Sequence, residues 1–298
     1  MLQIIGIERA QDTILPQIVN MHRRDAGVTE RTILSPYEAW RIGGPWMEAS
    51  LCKTHFSLFR ASGGQICVAK RGSFVLGEIE FRLISGGHEA YISELMVDGS
   101  HRSKGIGTRL CSKVADYASS IGATQISVLP NGHSKTFYSK VGFSPSDRRY
   151  AIDGEASSKR EDLPSLEMVS ECDVAELPSL PAITVGVLQP AEQELYSLLL
   201  MCGLQGFPES KLPRLWKLSR TNAWIGLRPS SSPGGYARLF AGGAIQLETL
   251  AALAPHLCAL AAQAKWRIYA DEPKIFSLNS ACDTFDEIWK KSVVRKPH

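Results

Sequence analysis

The sequence is short of the features that would mark several functional classes. Its seven cysteines (Cys52, Cys67, Cys111, Cys172, Cys202, Cys258 and Cys282) form no CxxC pair and no run with metal-ligand spacing. Neither a zinc site nor a disulfide framework is therefore expected, and the thiols read as buried and reduced. Charge of one sign is also lacking, because 33 basic against 30 acidic side chains leave a net charge of only +3. That is too mild to mark the whole chain as a nucleic-acid binder. No apolar run is long enough to cross a bilayer: the most apolar stretch, TLAALAPHLCALAAQA (249–264), is interrupted by Pro255 and His256 and falls short of the roughly 20 residues needed. MLQIIGIERAQD has neither the basic start nor the apolar run of a signal peptide. Together these absences predict a cytoplasmic protein with no membrane partner and no metal. The two common phosphate loops are missing as well: there is no GxxxxGK[ST], and no GxGxxG follows the first strand.

What remains is a chain of 298 residues, 44% hydrophobic, which is enough for a sizeable core in one large domain or two ordinary ones. LQIIGIE reads as a strand, and Ile14, Ile18 and Met21 recur at helical spacing after it. Ser35 and Pro36 open a second helix as N-cap and first helical residue. QICVAKRG (65–72) and SFVLGEIEFRLI (73–84) alternate around Arg71-Gly72 as a hairpin, and AYISELMV (90–97) is the next strand. A helix follows, with Leu110, Val114, Ala115 and Ala118 on one face and Gly122 at its end. QISVLP (125–130), a short helix in 131–143, and strands RRYAI (148–152) and SLEMVSE (165–171) complete the half. The strand, helix, strand sequence in the middle implies one parallel pair inside an otherwise antiparallel sheet, a mixed α/β domain over 1–171.

Residues 172–182, CDVAELPSLPA, read as a linker. The remainder, 183–298, repeats the order of elements: ITVGVLQP as strand, AEQELYSLLLMCGL and KLPRLWKLSRT as helices, then AWIGLRP and GYARLFAGG as a hairpin. APHLCALAAQA, KWRIYADE, PKIFSLNSACDTF and EIWKKSVV follow as helix, strand, helix and strand. The expected architecture is thus a tandem duplication.

Between the strand ending at Val97 and the helix opening near Gly107 stands HRSKGIGTRL (101–110). Backbone N–H groups at a helix start have no intrahelical partner and carry the positive end of the helix dipole, so an anion can sit there. Gly105 and Gly107 let it approach, and Arg102 and Lys104 add charge; the same string is equally an exposed basic turn. One strand-helix unit later comes N-x-x-x-x-x-F-Y-x-K-x-G-F, here Asn131, Phe137, Tyr138, Lys140, Gly142 and Phe143.

R-x-x-G-x-G after the fourth strand with this second segment resembles the GCN5-related N-acetyltransferase (GNAT) family, along essentially all of 1–171. The resemblance implies a GNAT-type sheet flanked by helices, with acetyl-CoA as acyl donor. It puts the pyrophosphate on the backbone of Arg102, Ser103, Lys104, Gly105, Ile106, Gly107 and Thr108, and the pantetheine arm along Met96 and Val97. By the same carry-over Asn131 contacts that arm, unless it is simply the first residue of an Asn-Gly turn. The Met96 N–H is the candidate oxyanion donor, Tyr138 the candidate acid for the leaving sulfur, and Glu94 the candidate base. Tyr138 is otherwise a core aromatic and Glu94 a surface or ion-paired carboxylate; His101 and His133 are alternative proton carriers. The implied reaction is transfer of an acetyl group to an amine by direct attack in a ternary complex, the amine belonging to a small molecule, a protein or a nucleic-acid base. The alternative is a non-catalytic acyl-CoA- or nucleic-acid-binding module of the same fold.

In the second half AIQLETLAALAPHL has no R-x-x-G-x-G, and Ser277 stands where the tyrosine would be. That half is expected not to bind CoA. Its 201–240 stretch carries Lys211, Arg214, Lys217, Arg220, Arg228 and Arg238, with Trp216 and Trp224 interleaved. It is read either as a solvated face packing its tryptophans inward or as a surface for an anionic acceptor or a nucleic acid.

Overall fold

The computed structural model describes residues 6–29, 31–157, 169–171, 182–204, 206–218, 222–230, 235–271 and 285–293. In chain order the elements are β1 (Gly6–Arg9), α1 (Leu15–Asp25), α2 (Pro36–Gly43), α3 (Ala49–Ala61), β2 (Gln65–Arg71), β3 (Phe74–Ile84), β4 (Glu89–Val97), α4 (Ile106–Ser120), β5 (Gln125–Val128) and α5 (Lys135–Lys140). Then come β6 (Ser144–Glu155), β7 (Val169–Glu171), β8 (Ile183–Val185), α6 (Ala191–Gly203), β9 (Arg214–Leu218), β10 (Ala223–Arg228), β11 (Ala237–Gly243), α7 (Leu247–Leu260), β12 (Lys265–Ala270) and β13 (Phe285–Ser292). They form two compact units, Met1–Ser146 with Glu287–His298, and Asp147–Asp286.

In the first unit β1, β2, β3 and β4 pair antiparallel in that order, β4 pairs parallel with β5, and β13 pairs antiparallel with β5. Helix α2 starts as its sequence predicts: Ser35 and Glu38 form a complete capping box with Pro36 in the first turn. Helix α3, whose Leu51, Phe56 and Phe59 are buried, is an element the sequence reading passed over. On one face of the sheet α4 buries Ile106, Leu110 and Val114 against Ile79, Phe81, Ile92 and Ile126. On the other face α1 and α3 cover the alternate residues of β3, so Glu78, Glu80 and Arg82 are buried.

In the second unit β7, β9, β10 and β11 pair antiparallel, β11 pairs parallel with β12, and β12 pairs antiparallel with β6. Helix α7, which runs through Pro255, packs Leu250, Ala254, Leu257 and Cys258 on Ile225, Leu227, Leu239 and Ile268.

The plan of a mixed, mostly antiparallel sheet repeated twice is the expected one, but several segments fall elsewhere. The linker expected at 172–182 lies outside the described residues except for Ala182, and the division between the units comes at 146/147 and 286/287 instead. The strand containing RRYAI belongs to the second unit, Ala151 opposite Tyr269 and Asp153 opposite Arg267; the Arg267 guanidinium clamps the Asp153 carboxylate with two bonds of 2.6 Å. Of SLEMVSE, residues 169–171 pair with β9. EIWKKSVV, expected to finish the second half, instead finishes the first: Trp289 sits opposite Val128 and Ser292 opposite Gln125. KLPRLWKLSRT, expected as a helix, is a 3-10 turn at Glu209–Lys211 followed by strand β9. PKIFSLNSACDTF, with Ser277, lies outside the described residues save Phe285, as does Arg220.

Cys52, Cys67, Cys111, Cys202 and Cys258 are free thiols, and Cys172 and Cys282 lie outside the described residues. Among the described residues no helix is long and apolar enough to cross a membrane.

Candidate active site

The parallel pair β4–β5 is in register only from Glu89 opposite Gln125 to Ile92 opposite Val128. Beyond Ile92, β4 continues to Val97 on β3 alone, with Glu94 opposite Glu80, Met96 opposite Glu78 and Val97 opposite Gly77. The register shifts between Glu80 and Phe81, leaving Ser93 as an extra residue. A bulge of this kind bends the strand and re-aims the side chains after it. The two strands therefore open away from each other, and the edge of β4 from Ser93 to Val97 faces the gap with no strand partner among the described residues.

At the far end of that gap the chain makes a 3-10 turn over Gly99–His101, with the Asp98 carboxylate accepting from the Ser100 N–H at 3.1 Å. Its hydrogen bonds from Ser100, Arg24 and His101 hold the Asp98 carboxyl well below the usual carboxylate range despite partial burial. Ser103 (φ +61°) and Gly105 (φ +77°) are left-handed, and α4 starts at Ile106 with no side chain capping it. The first N–H groups of α4 are thus free of side-chain caps, and Ser103, Lys104, Gly105 and Thr108 are exposed.

The charges of the loop are engaged by neighbouring groups of the protein while staying exposed. Arg102 forms an ion pair with Asp25 and donates from Nε to the Val97 carbonyl at 3.2 Å, while Lys104 Nζ donates to the Ser100 carbonyl at 2.9 Å. Donors for an anion are therefore backbone amides first, and these side chains brace the loop. An open cavity of about 540 Å³ adjoins it, lined among others by Arg24, Arg71, Phe74, Asp98, Ser100 and His101.

Gly107 is tightly held. A Cβ there would lie 3.0 Å from the Phe137 ring and 3.7 Å from Val97. Gly107→Ala is expected to push Phe137 away and distort the first turn of α4, lowering the thermal midpoint, whereas Gly99→Ala, with open space around its Cβ, should leave it unchanged. Thermal unfolding of both variants tests this.

Tyr138 is 5% exposed, edge-on to Phe137 at 5.1 Å and to Phe143 at 5.4 Å. Burial, with Cys111, Glu94 and Tyr91 adding negative potential, raises its phenol far above the usual value, so it stays protonated. Asn131 is exposed, and its Oδ1 accepts from the Ser134 N–H at 2.9 Å, shaping the turn that leads into α5.

Glu94 keeps part of its surface open, but its carboxyl lies in dense surroundings, and burial lifts its pKa to about 7 against the opposing pull of His22. Glu80, directly opposite, and Glu78 push in the same direction as burial. These neighbours were missed in the sequence. His22 of α1 meets Glu78 at 2.5 Å and stacks on Trp46 at 5.2 Å, and Trp46 Nε1 donates to Glu80 at 2.8 Å. His55 of α3 bonds both Glu80 oxygens at 2.8 and 2.9 Å. The available signal was the acid-apolar-acid alternation in GEIEF, on a strand whose both faces are covered.

The second unit differs at the equivalent place. There β11 and β12 are in register at Ala237–Trp266 and Arg238–Arg267 and then part. The chain's own segment enters the opening: Ile183 and Val185 pair with Gly242 and Ala241 of β11, and Gly186 bridges to Tyr269 of β12. Gly186 is left-handed, and a Cβ on it would lie 2.6 Å from the Leu239 carbonyl oxygen. A cavity of about 640 Å³ at the start of α7 is lined by Glu248 and Asp271 and, among the described residues, by no basic one. Trp216 (5% exposed) and Trp224 (1%) are core residues, and Arg228 pairs with Glu194 at 3.4 Å. The inward-packing reading of the 201–240 stretch therefore holds for these tryptophans, and stacking of nucleic-acid bases on them is removed.

Comparison with known proteins agrees with this geometry. Residues 26–143 match the family profile described as acetyltransferase (GNAT) family. A search of curated proteins gives no match. Among solved structures, a GCN5-related N-acetyltransferase from Kribbella flavida aligns with a TM-score of 0.63 at 12% identity, over 97% of this chain and 72% of that one. One from Anabaena variabilis aligns at 0.64 and 11%, over 98% and 73%. A tandem GNAT protein from the clavulanic acid biosynthesis pathway aligns at 0.57 and 13%, over 99% and 100%. At these identities the likeness is one of fold, and it extends over both units. With the profile match and the open β4–β5 pair leading to an uncapped helix start, the first unit carries a domain of the acetyltransferase (GNAT) family.

Proposed function

We propose that the first unit is an acetyl-CoA-dependent N-acetyltransferase that transfers the acetyl group to an amine by direct attack in a ternary complex. The observation that carries this reading is the opening of β4 from β5 after Ile92, ending at the uncapped start of α4. The pyrophosphate takes the backbone amides of 102–108, and the pantetheine arm extends the sheet along Met96 and Val97. The amine must lose a proton to attack. Glu94, with a pKa near the working pH, accepts it, since a base is most effective when its pKa lies close to ambient pH. The developing oxyanion takes an N–H on the open side of β4, that of Leu95 or Val97, because the Met96 N–H faces β3: two residues on, the Asp98 N–H donates to the Leu76 carbonyl at 3.0 Å. When the C–S bond breaks, Tyr138, held neutral by burial, donates a hydrogen bond to the sulfur and supplies its proton. Asn131, exposed and capping its own turn, supports the approach of the arm through the shape of that turn.

The sign of the pH dependence follows from Glu94. Its raised pKa means the carboxylic acid predominates below about 7, so kcat/KM is expected to rise with pH through that region. Glu94→Gln should lower turnover by about 10²–10⁴-fold at pH 8 and flatten the limb. Thiol release from acetyl-CoA over a panel of amines measures both, and undiminished turnover in Glu94→Gln overturns the assignment.

The second unit is proposed to bind no CoA, because its strand opening is filled by residues 183–186 and its helix start is flanked by acids. One acetyl-CoA per chain is the expected calorimetric stoichiometry; two would refute it.

A further inference from the structure

The cluster under α1 and α3 has a part that the mechanism above leaves unused. Glu78 is fully buried on β3. One of its carboxylate oxygens meets His22, and the other, Oε2, has no hydrogen-bond partner. An unpaired buried carboxylate oxygen costs about 1–3 kcal/mol or more, so such an arrangement persists where something else requires it. The register supplies a candidate. Glu78 is opposite Met96 and Glu80 opposite Glu94, and directly paired residues point to the same face of a sheet. Glu78, with His22 on it, and Glu94 therefore share one face, at diagonal strand positions whose backbones lie about 7–8 Å apart.

His22 has little freedom there. It is 7% exposed, gripped by Glu78 at 2.5 Å, and its ring lies flat on Trp46 with an interplanar angle of 11°. Trp46 is in turn fixed by its bond to Glu80, which also binds His55.

We propose that His22 is a positioning residue for Glu94: clamped between Glu78 and Trp46, its imidazolium keeps positive charge beside the Glu94 carboxylate so that the ionised form faces the incoming amine. This rests on the reading of Glu94 as the base. The remaining charges around His22 do not supply that cation. Arg23 of α1 donates to the carbonyls of Thr29 and Thr32, Arg24 binds Asp98, and Arg82 of β3, buried on the same face, lies over the Phe59 ring at 4.5 Å and donates to the Ser62 hydroxyl. His55 of α3 is taken up by Glu80, Asp12 before α1 pairs with Arg60, and burial keeps the Cys52 thiol neutral. Burial alone would discharge His22, and the three carboxylates Glu78, Glu94 and Glu80 together hold its pKa above the ordinary imidazole value.

Trp46 offers a readout that does not depend on turnover. A protonated imidazole stacked on an indole quenches its fluorescence more than a neutral one does. The emission of Trp46, taken as the difference between wild type and Trp46→Phe, should therefore rise with pH at a midpoint set by His22. In Glu94→Gln the midpoint should move to lower pH, because an anion facing His22 is gone. In Glu78→Gln it should move further, and in His22→Gln the transition should vanish. An unchanged midpoint in Glu94→Gln overturns the proposal, and this isosteric variant, at a residue less buried than Glu78, keeps the test available if Glu78→Gln does not fold. Loss of turnover in Glu94→Gln is a separate measurement. A shifted midpoint with full turnover would retain the His22–Glu94 coupling while removing Glu94 as base, and an unshifted midpoint with lost turnover would do the reverse.

Discussion

Trp289→Ala is expected to destabilise the first unit by about 3–5 kcal/mol, the usual cost of truncating a buried tryptophan. The residue lies in β13, 8% exposed, packed in the same core as Ile126, Val128, Tyr138 and Phe143. Among the described residues, the strand it anchors is the partner of β5 on that side. Neighbouring bonds tie the strand down: Lys291 Nζ to the Val141 carbonyl at 2.7 Å, and Lys135 to Glu287 at 3.0 Å. Ser292→Ala, on the exposed end of the same strand, should stay within about 0.5 kcal/mol of wild type. Urea unfolding with and without acetyl-CoA identifies the unit affected, since a ligand raises only the transition of the unit that binds it. If Trp289→Ala lowered the ligand-insensitive transition alone, the assignment of β13 to the first unit would fail.

Tyr138→Phe should reduce turnover by about 10²–10⁴-fold, the range for a lost general acid, with little change in acetyl-CoA affinity. Phenylalanine keeps the edge-on contacts with Phe137 and Phe143, so the packing survives and only the hydroxyl is removed. Burial holds that hydroxyl protonated at all ordinary pH values, and Tyr138 therefore contributes no limb to the pH profile; the one near 7 belongs to Glu94. Isothermal titration with acetyl-CoA and pre-steady-state thiol release separate binding from chemistry. Weakened binding with turnover intact would make Tyr138 a packing residue.

The turn before α4 and the parallel pair are legible in the sequence because each is local. Arg102 to Thr108 carries its own turn chemistry in Gly105 and Gly107, and the order of strands and helices around it is written in periodicity. Helix α3 is not marked in the sequence although Leu51, His55, Phe56 and Phe59 share one helical face, because only a short 3-10 turn over Gly44–Met47 separates it from α2 and it carries no Ser, Thr, Asp or Asn at its N-cap. Strand β9 was misread because in RLWKL a period of two and a helical stripe coincide over so few residues. Alternation in the β2–β3 hairpin tells that Glu78 and Glu80 share a face and not what covers it. Only the packing of α1 and α3 turned that face into a buried histidine-carboxylate cluster. The pairing of β13 with β5 had no signal at all, because sequence order does not say which of two similar sheets accepts a strand.

That last pairing also sets an order of events during synthesis. The strand that closes β5 leaves the ribosome only after residues 147–286, the whole second unit, have been made. For on the order of ten seconds or more at ordinary elongation rates, the nascent first half exposes the open edge of β5 and the core that Trp289 will cover. An unpaired apolar edge of this kind is a template for wrong partners. The unit with the open β4–β5 pair is thus begun first and finished last, and its completion waits for the synthesis of the other unit.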